Sequence, residues 1–289
     1  MKKKFEIILY FLFLYICIIV AMPAQNGRAA TADTKKEVYR EISKQLLAGK
    51  KQFSVRCTNT KMAVSLVNRL NSAKDSVYYR TLFQITQTVD KKNNTDDGDY
   101  LYGNLGQVNC YYREGQLWFH DIEYLESVKQ RKAVNRKVNA VAKKIRKQGK
   151  NNYEKIALTY RYVVKHVTYD RRKNCNYSAY AGFYKKKTVC NGYALMMYKL
   201  LMKLGIPCRF VSGSIKDGKK WYLHAWNIVK LKGKWYNLDA CQDDEDDGQV
   251  YSDYFLKNDK TFQKDHKKDS FYRTKAFKKK YPMSPKSFV

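Results

Sequence analysis

One stretch of the chain, residues 189–239, constrains the fold more than any other. Its segment 194–204 is apolar on nearly every face, and a helix of that kind is buried on all sides. Gly205 and Pro207 end this helix in the usual way. Three strand-like segments follow, at residues 209–215, 221–231 and 234–239. A buried helix followed by an antiparallel hairpin predicts a domain of the α+β class.

The hairpin brings two polar side chains together by its register alone. If its loop is Lys232-Gly233, counting back along the two strands places Trp226 opposite Asp239. His224 shares a sheet face with Trp226, so His224 and Asp239 become diagonal neighbours, with Cβ atoms roughly 7–8 Å apart. That separation allows an imidazole–carboxylate hydrogen bond. A loop of odd length would place the two side chains on opposite faces.

Cys190 lies at the predicted first turn of the buried helix. Unpaired N–H groups and the helix dipole at that end favour a thiolate, and the same N–H groups could hold an oxyanion. Taken singly, Cys190, His224 and Asp239 are as readily explained by packing or capping. Together, a nucleophile, a base and an orienting carboxylate are the parts of nucleophilic acyl transfer.

The motifs of this stretch, taken as a set, resemble the bacterial transglutaminase-like family. They are Val189-Cys190-Asn191-Gly192-Tyr193-Ala194, Gly205-Ile206-Pro207, His224-Ala225-Trp226-Asn227 and Trp235-Tyr236-Asn237-Leu238-Asp239, with Tyr169-Asp170 upstream and Tyr254-Phe255-Leu256 downstream. The resemblance covers residues 150–270 and implies a papain-like α+β core, in which the cysteine helix packs on an antiparallel sheet. It also implies a catalytic order of Cys190, His224 and Asp239.

Two details of the resemblance concern neighbouring residues. Tyr180 stands where such proteins often carry an aromatic residue that aids the oxyanion hole, although Tyr177 is close by. The family usually continues from its aspartate with a small residue and a proline or threonine, whereas Ala240-Cys241 follows here. If the strand continued, Cys241 would share the face of His224 and Asp239.

The resemblance implies a thiol enzyme that acts on peptide or side-chain amides and needs no cofactor. Hydrolysis by a cysteine peptidase or amidase is the first expectation, because many bacterial relatives look like peptidases. Cross-linking of glutamine to lysine is the alternative, since the same residues serve both and only the acceptor of the thioester differs. A third hypothesis, of another class, is a cell-wall-binding module with an idle triad.

Residues 1–32 are typical of an export signal. A basic start is followed by the apolar run 7–20, and Ala30-Thr31-Ala32 matches a cleavage site. An uncleaved anchor is the alternative, although the run is shorter than the roughly 20 residues of a membrane span. The prediction is a secreted or cell-surface protein.

The net charge of +31 points to anionic partners. Residues 1–32 hold four basic side chains and one acidic one, so the remainder carries +28. Such a charge attracts polyanions over long distances, and an anionic cell-wall polymer or membrane surface is the expected partner besides a protein or peptide substrate. No nucleic-acid-binding motif is present. The alternative is that the lysines merely keep the surface soluble.

Cysteines, histidines and acidic residues give no metal motif. Six cysteines follow the signal without a CxxC pair, so no zinc site is expected. Cys57 and Cys110 could form a disulfide or remain buried thiols. The acidic run 243–248 resembles part of a calcium loop but lacks its final glutamate, so a solvated loop is expected. His266 lies in a basic tail without a partner pattern.

The sequence before residue 123 predicts a small accessory α+β domain. Helices are expected at residues 33–49 and 61–70, and a hairpin turning at residues 113–115. Residues 77–89 are rich in Tyr, Thr and β-branched side chains, which favours a strand, and residues 96–99 indicate a loop. Two helices, at residues 123–148 and 153–166, open the second domain. The predicted division is therefore 1–32, 33–122 and 123–289.

Overall fold

The computed structural model describes residues 31–32, 34–89, 97–172, 174–244 and 249–288. The expected export signal thus lies outside the described residues, except for the backbone of Thr31 and Ala32. Within the described part of the chain, no helix is both long and apolar enough to cross a bilayer.

The first part of the chain packs four helices on a small sheet. The elements in order are β1 (Thr31–Ala32), α1 (Lys35–Leu47), β2 (Phe53–Cys57), α2 (Thr60–Leu70), α3 (Asp75–Thr86), α4 (Gly98–Asn104), β3 (Asn109–Arg113) and β4 (Gln116–His120). The sheet has the order β1-β2-β4-β3. Its hairpin turns through Glu114 and Gly115 alone, because Arg113 already pairs with Gln116. Both loop residues have positive φ, 51° and 74°, as a type I′ turn requires.

Two predictions for this part are wrong. A strand was expected at residues 77–89, but α3 occupies most of that segment. Thr81, Leu82 and Ile85 are buried at helical spacing, so burial of one face outweighs the strand preference of the Tyr, Thr and Val residues. Of the loop expected at 96–99, residue 96 lies outside the described residues and the remainder begins a helix, since the Asp97 carboxylate accepts the N–H groups of Asp99 and Tyr100 and caps α4.

The second part of the chain forms an antiparallel sheet covered by helices. Its elements are α5 (Val128–Gln148), α6 (Asn152–His166), β5 (Thr168–Tyr169), β6 (Lys187–Thr188), α7 (Cys190–Lys203), β7 (Cys208–Asp217), β8 (Lys220–Leu231), β9 (Lys234–Leu238), α8 (Asp259–Phe262), β10 (His266–Lys268) and α9 (Lys275–Lys280). A π-helical turn, Ala181–Lys185, and a 3₁₀ turn, Ser270–Tyr272, complete it. The sheet order is β10-β7-β8-β9, and β5 pairs with β6 in parallel.

The helices expected at 33–49, 61–70 and 153–166 are confirmed as α1, α2 and α6. The basic helix expected at 123–148 begins five residues later, as α5. Ser127 caps it: its hydroxyl accepts the N–H of Gln130 at 3.2 Å, and the Gln130 side chain accepts the N–H of Ser127 at 2.8 Å.

The helix α7 is the centre of the second part, as its sequence predicts. It packs against β7, β8, α4, α5 and α6. The amide of Asn227 on β8 ties the helix to the sheet by donating to the carbonyl of Ala194 at 3.0 Å. At its start, a Cβ on Gly192 would lie 2.0 Å from Thr188 Oγ1, so only glycine allows this close approach. The α+β class, with the cysteine helix on an antiparallel sheet, is confirmed.

The two parts are joined through buried contacts. One buried apolar cluster contains Val38 and Leu117 from the first part and Leu195 from α7. A buried ion pair crosses the same boundary, with the guanidinium of Arg209 donating to both carboxylate oxygens of Asp99 at 2.5 and 2.7 Å. The predicted division at residue 122 therefore runs through a shared core, and it stays a prediction.

Candidate active site

Cys190 is the first residue of α7, at the helix end that faces a cavity. The N–H groups of Gly192 and Tyr193 donate to the carbonyl of Val189. The N–H groups of Cys190 and Asn191 are the first of the helix, which have no acceptor within it. The Asn191 amide fixes this end by donating to the carbonyls of Gly103, at 3.0 Å, and Tyr177, at 2.7 Å.

His224 and Asp239 meet through the register expected for the hairpin. Leu231 pairs with Lys234 across the two-residue loop, and β9 ends at Leu238, one residue before Asp239. The His224 Nε2 atom lies 2.6 Å from Asp239 Oδ2, and both side chains are buried. The Cys190 side chain lines the same cavity as this imidazole and helps to raise the pKa of His224. Since Nε2 is taken by Asp239, Nδ1 is the nitrogen left for Cys190.

The charges of this group depend on one another. Burial disfavours the imidazolium of His224, but the Asp239 carboxylate and the Cys190 thiolate outweigh burial and raise its pKa to about 10. Burial alone would raise the pKa of the Asp239 carboxyl, yet His224 and His266 hold that pKa well below its ordinary value. The site therefore keeps a carboxylate and an imidazolium ionised together across neutral pH.

His266 is the residue that sequence reasoning missed. It was expected in a basic tail without partners, but it is buried on β10. Its Nε2 lies 3.1 Å from Asp239 Oδ2, and its Nδ1 lies 2.6 Å from Asp265 Oδ1. Asp265 in turn accepts the hydroxyl of Tyr254 at 2.6 Å. The pairing of β10 with β7 creates this contact, and the short segment His266–Lys268 carries no periodic signal that predicts it.

The carboxylate of Asp239 thus accepts from two imidazoles. Its second oxygen, Oδ1, accepts the N–H of Cys241 at 3.0 Å and the N–H of Gln242 at 3.4 Å. Both oxygens of the Asp239 carboxylate are therefore hydrogen-bonded, which fixes its orientation and, through it, the orientation of the His224 ring. In the described part of the chain, His224, Asp239 and His266 are also the group whose ligand atoms, within 4.8 Å of one another, could hold a metal ion.

Tyr180 does not line the cavity beside Cys190. Its ring stacks on Tyr184 with centroids 4.9 Å apart, and its N–H donates to Glu126. Tyr177 lines the cavity instead. Its hydroxyl interacts with the Cys175 thiol, which, with burial, raises the pKa of Tyr177 to about 12. Tyr177 is therefore the better placed of the two aromatics to contact a bound group.

The loop before α7 is held by Asp170. This buried carboxylate accepts from Arg172 Nε at 2.7 Å and Nη2 at 2.8 Å, and from the backbone and side chain of Asn176. The Arg172 hydrogen bonds keep the pKa of Asp170 well below its usual range. The carbonyl of Asn176 then accepts the N–H of Val189, so the network reaches the residue before Cys190.

The other cysteines are free thiols in the described structure. Cys57 lies on β2 and Cys110 on β3, with β4 between them, so the suggested disulfide does not form. Two strand spacings, about 9–10 Å, exceed the roughly 7 Å that a disulfide spans between Cα atoms. Cys241 lies in a turn, because β9 has already ended, and burial raises the pKa of its thiol well above the ordinary value.

The acidic run is not solvated throughout. Residues 245–248 lie outside the described residues, but Asp243 is buried and accepts the hydroxyl of Tyr160 and the N–H of Tyr254. Tyr160 also donates to the carbonyl of Asp239 at 2.7 Å. Asp243 therefore supports the backbone of Asp239, and the prediction of a solvated loop is wrong for this residue.

The comparison with protein families agrees with this geometry. Residues 139–240 match the model of the Transglutaminase-like superfamily, and the matched segment includes Cys190, His224 and Asp239. The resemblance predicted from the sequence is thereby confirmed over this segment.

Two solved structures share a partial likeness with the chain. The first, a crystal structure of a TGase, has 17% identity and a TM-score of 0.35, with 47% of this chain and 44% of the other covered. The second, a proposed cysteine protease from Cytophaga hutchinsonii, has 24% identity and a TM-score of 0.34, with 40% of each chain covered. The chain thus spans less than half the length of each. No curated protein matches it.

Proposed function

We propose that the protein is a thiol-dependent acyl-transfer enzyme that hydrolyses peptide or side-chain amides. Cys190 is the nucleophile, His224 the general acid and base, and Asp239 the group that orients His224. The observation that carries the proposal is the position of the His224 imidazole, which hydrogen-bonds Asp239 through Nε2 at 2.6 Å and lines the same cavity as Cys190. Such a chain of nucleophile, base and orienting carboxylate is the arrangement that acyl transfer requires.

The reaction follows from these positions. The Cys190 thiolate attacks the amide carbonyl carbon, and the first N–H groups of α7 stabilise the resulting oxyanion. The C–N bond breaks as His224 gives its proton to the leaving amine, which leaves a thioester on Cys190. His224 then takes a proton from water, the hydroxide attacks the thioester, and the C–S bond breaks to restore the thiolate.

We also infer an exported protein that acts near anionic polymers or a membrane surface. The support is the signal-like segment 1–32 and the charge of +28 on the remainder. The helix α5 alone carries nine basic side chains and no acidic one over Val128–Gln148. Positive charge of this density attracts polyanions in a salt-dependent manner.

The first experiment measures how fast each cysteine of the purified protein reacts with iodoacetamide between pH 4 and 9, by mass spectrometry of the digested protein. We expect Cys190 to react rapidly at low pH, and His224→Ala to slow it, because the imidazolium then no longer stabilises the thiolate. A Cys190 that reacts no faster than a model thiol with a pKa near 8.5 would overturn the catalytic proposal.

The second experiment identifies the acceptor of the acyl group. Casein peptides are incubated with the protein in the presence and absence of cadaverine, with Cys190→Ala as the control. New peptide termini or released ammonia without incorporated amine indicate hydrolysis, whereas incorporated cadaverine indicates cross-linking. Salt-sensitive wall binding that survives Cys190→Ala, without turnover of any kind, would favour a binding module.

A further inference from the structure

The cavity beside Cys190 and His224 has a volume of about 330 Å³ and is walled by both parts of the chain. From the second part come Cys190, Asn191, His224 and the strand residues around Phe210. The first part contributes Tyr79, Leu82, Tyr102, Gly103 and Leu105. The accessory region is therefore one wall of the space where a substrate would reach the thiol.

The lining of this cavity contrasts with the surface of the protein. The whole chain has 57 Lys and Arg against 26 Asp and Glu. Among the described residues that line the cavity there is no Lys or Arg, and apart from His224 the one ionisable side chain other than Tyr and Cys is Asp269. Most of the remaining lining is aromatic or aliphatic. A bound group that fits this lining has an apolar body and carries a positive charge at the end that lies beside Asp269.

One of the two carboxylate oxygens of Asp269 accepts a hydrogen bond. Its Oδ2 accepts the hydroxyl of Ser212 at 2.6 Å, and its N–H donates to the carbonyl of Ser212 at 3.0 Å. The hydroxyl of Tyr102 lies 3.3 Å from Ser212 Oγ. Burial raises the pKa of Asp269, while Ser212 and the nearby Arg273 oppose that rise. No ion pair joins Asp269 to a cation among the described residues, so its charge remains available to a bound cation.

An exposed apolar side chain continues the lining outward. Leu223, next to His224 on β8, is 73% exposed and lines the cavity mouth. An apolar group that covers a leucine this exposed removes apolar surface from water, which stabilises the bound state.

We propose that this cavity is a substrate subsite for an alkylammonium side chain, such as that of lysine or ornithine, whose methylene stem lies along the apolar lining and whose ammonium pairs with Asp269. The inference rests on the proposed function, since it assigns the substrate class of the same site. It predicts that the enzyme prefers amides next to a basic residue, although the protein surface itself is strongly basic.

The test compares two thiol reagents of similar size and opposite charge, 2-aminoethyl and 2-sulfonatoethyl methanethiosulfonate. Their rates at Cys190 are measured at pH 7.5 in 0.5 M NaCl, where screening suppresses the field of the distant lysines. We expect Cys190 to prefer the ammonium reagent, and Asp269→Asn to lower the ratio of the two rates about tenfold. The control is Asp217→Asn, which removes the same charge from the exposed end of β7 and should leave the ratio unchanged.

Cys175 serves as an internal reference, because it does not line the cavity. Its ratio of rates should be lower than that of Cys190 in the unmodified protein, and this comparison needs no variant to fold. Equal ratios at the two cysteines, or the same change in Asp269→Asn and Asp217→Asn, would overturn the subsite.

A turnover measurement separates this inference from the proposed function. Matched fluorogenic peptides carry lysine, norleucine or glutamate beside the scissile amide, and Asp269→Asn should lower kcat/KM for the lysine peptide alone, mainly through KM. Cleavage without preference overturns the subsite and leaves the function standing. Reagent selectivity without cleavage of any peptide overturns the function and leaves the subsite standing.

Discussion

The carboxylate of Asp239 accepts hydrogen bonds from two imidazoles that reach it by different routes. His224 lies on the neighbouring strand of a two-residue hairpin, 15 residues away, and its distance to Asp239 is 2.6 Å. His266 lies 27 residues away on β10, at the opposite edge of the sheet order, and its distance is 3.1 Å. The first contact follows from local register, and the second exists only when β10 pairs with β7.

The two contacts also differ in what lies behind each ring. Beyond His224 is the Cys190 thiol, so a change in that ring reaches the reacting atom directly. Beyond His266 is the carboxylate of Asp265, which fixes His266 but is separated from the thiol by Asp239 and His224. We therefore propose His224 as a catalytic residue and His266 as a positioning residue that acts through Asp239.

The largest effect is expected from Asp239→Asn, which alters both contacts at once. The amide accepts with one atom only and no longer stabilises the imidazolium of His224. We expect amide hydrolysis to fall by roughly 10³-fold or more, because an orienting carboxylate of this kind sets the tautomer of the base. Cleavage assays with melting curves as a folding control check this, and a loss below tenfold would contradict the assigned role.

A smaller but still large effect is expected from His224→Ala. The Cys190 thiolate loses its imidazolium partner, so its alkylation at pH 5 should slow by about 100-fold, and the rate should approach that of a model thiol near pH 9. Cys175, measured in the same digests, should keep its rate. Rapid alkylation of Cys190 at pH 5 without His224 would show that another group stabilises the thiolate.

His266→Gln should reduce turnover by about tenfold, by analogy with the loss of groups that orient metal-binding histidines. Loss of His266 removes one of the groups that lower the pKa of Asp239, so that pKa should rise and the acid limb of the Cys190 alkylation profile should move to higher pH. A merely structural role would lower the melting temperature and leave that limb in place. His120→Gln, at a half-buried histidine of β4 that lies outside the cavity, is the matched control.

The smallest effect on reactivity is expected from Asp243→Asn, which leaves both imidazoles untouched. Burial raises the pKa of Asp243 to about 6 in the folded protein, above its ordinary value of 3.8. The folded state therefore binds more protons between these values, and the stability linked to this group is present below pH 4 and lost as the pH rises through 6. The unmodified protein should lose on the order of 2 kcal/mol over that window.

Denaturant unfolding between pH 4 and 7 measures this loss. The decline should be shallower in Asp243→Asn, with little change in the alkylation rate of Cys190. Asp217→Asn, at an exposed carboxylate, should retain the full decline. Equal curves for the unmodified protein and Asp243→Asn would contradict the assignment.

Prediction from the sequence succeeded where the interaction was short in range. The end of α7 just before Gly205, the two-residue loop before Lys234 and the resulting register of β8 and β9 depend on backbone preferences of a few adjacent residues. The segment 77–89 failed because strand preference and helical spacing disagree there, and the buried face of α3 decided between them. Tyr180 was expected at the site through resemblance, whereas Tyr177 lines the cavity.

The sequence by itself therefore determined the α+β class, the buried helix that begins at Cys190, and the contact of His224 with Asp239. Each of these depends on backbone geometry or on a pattern of apolar residues within a short segment of the chain. Only the tertiary structure decided the contact of His266 with Asp239, the accessory wall of the cavity and the place of Asp269 in it. These contacts join residues far apart in the chain, through strand pairing and packing that no short segment specifies.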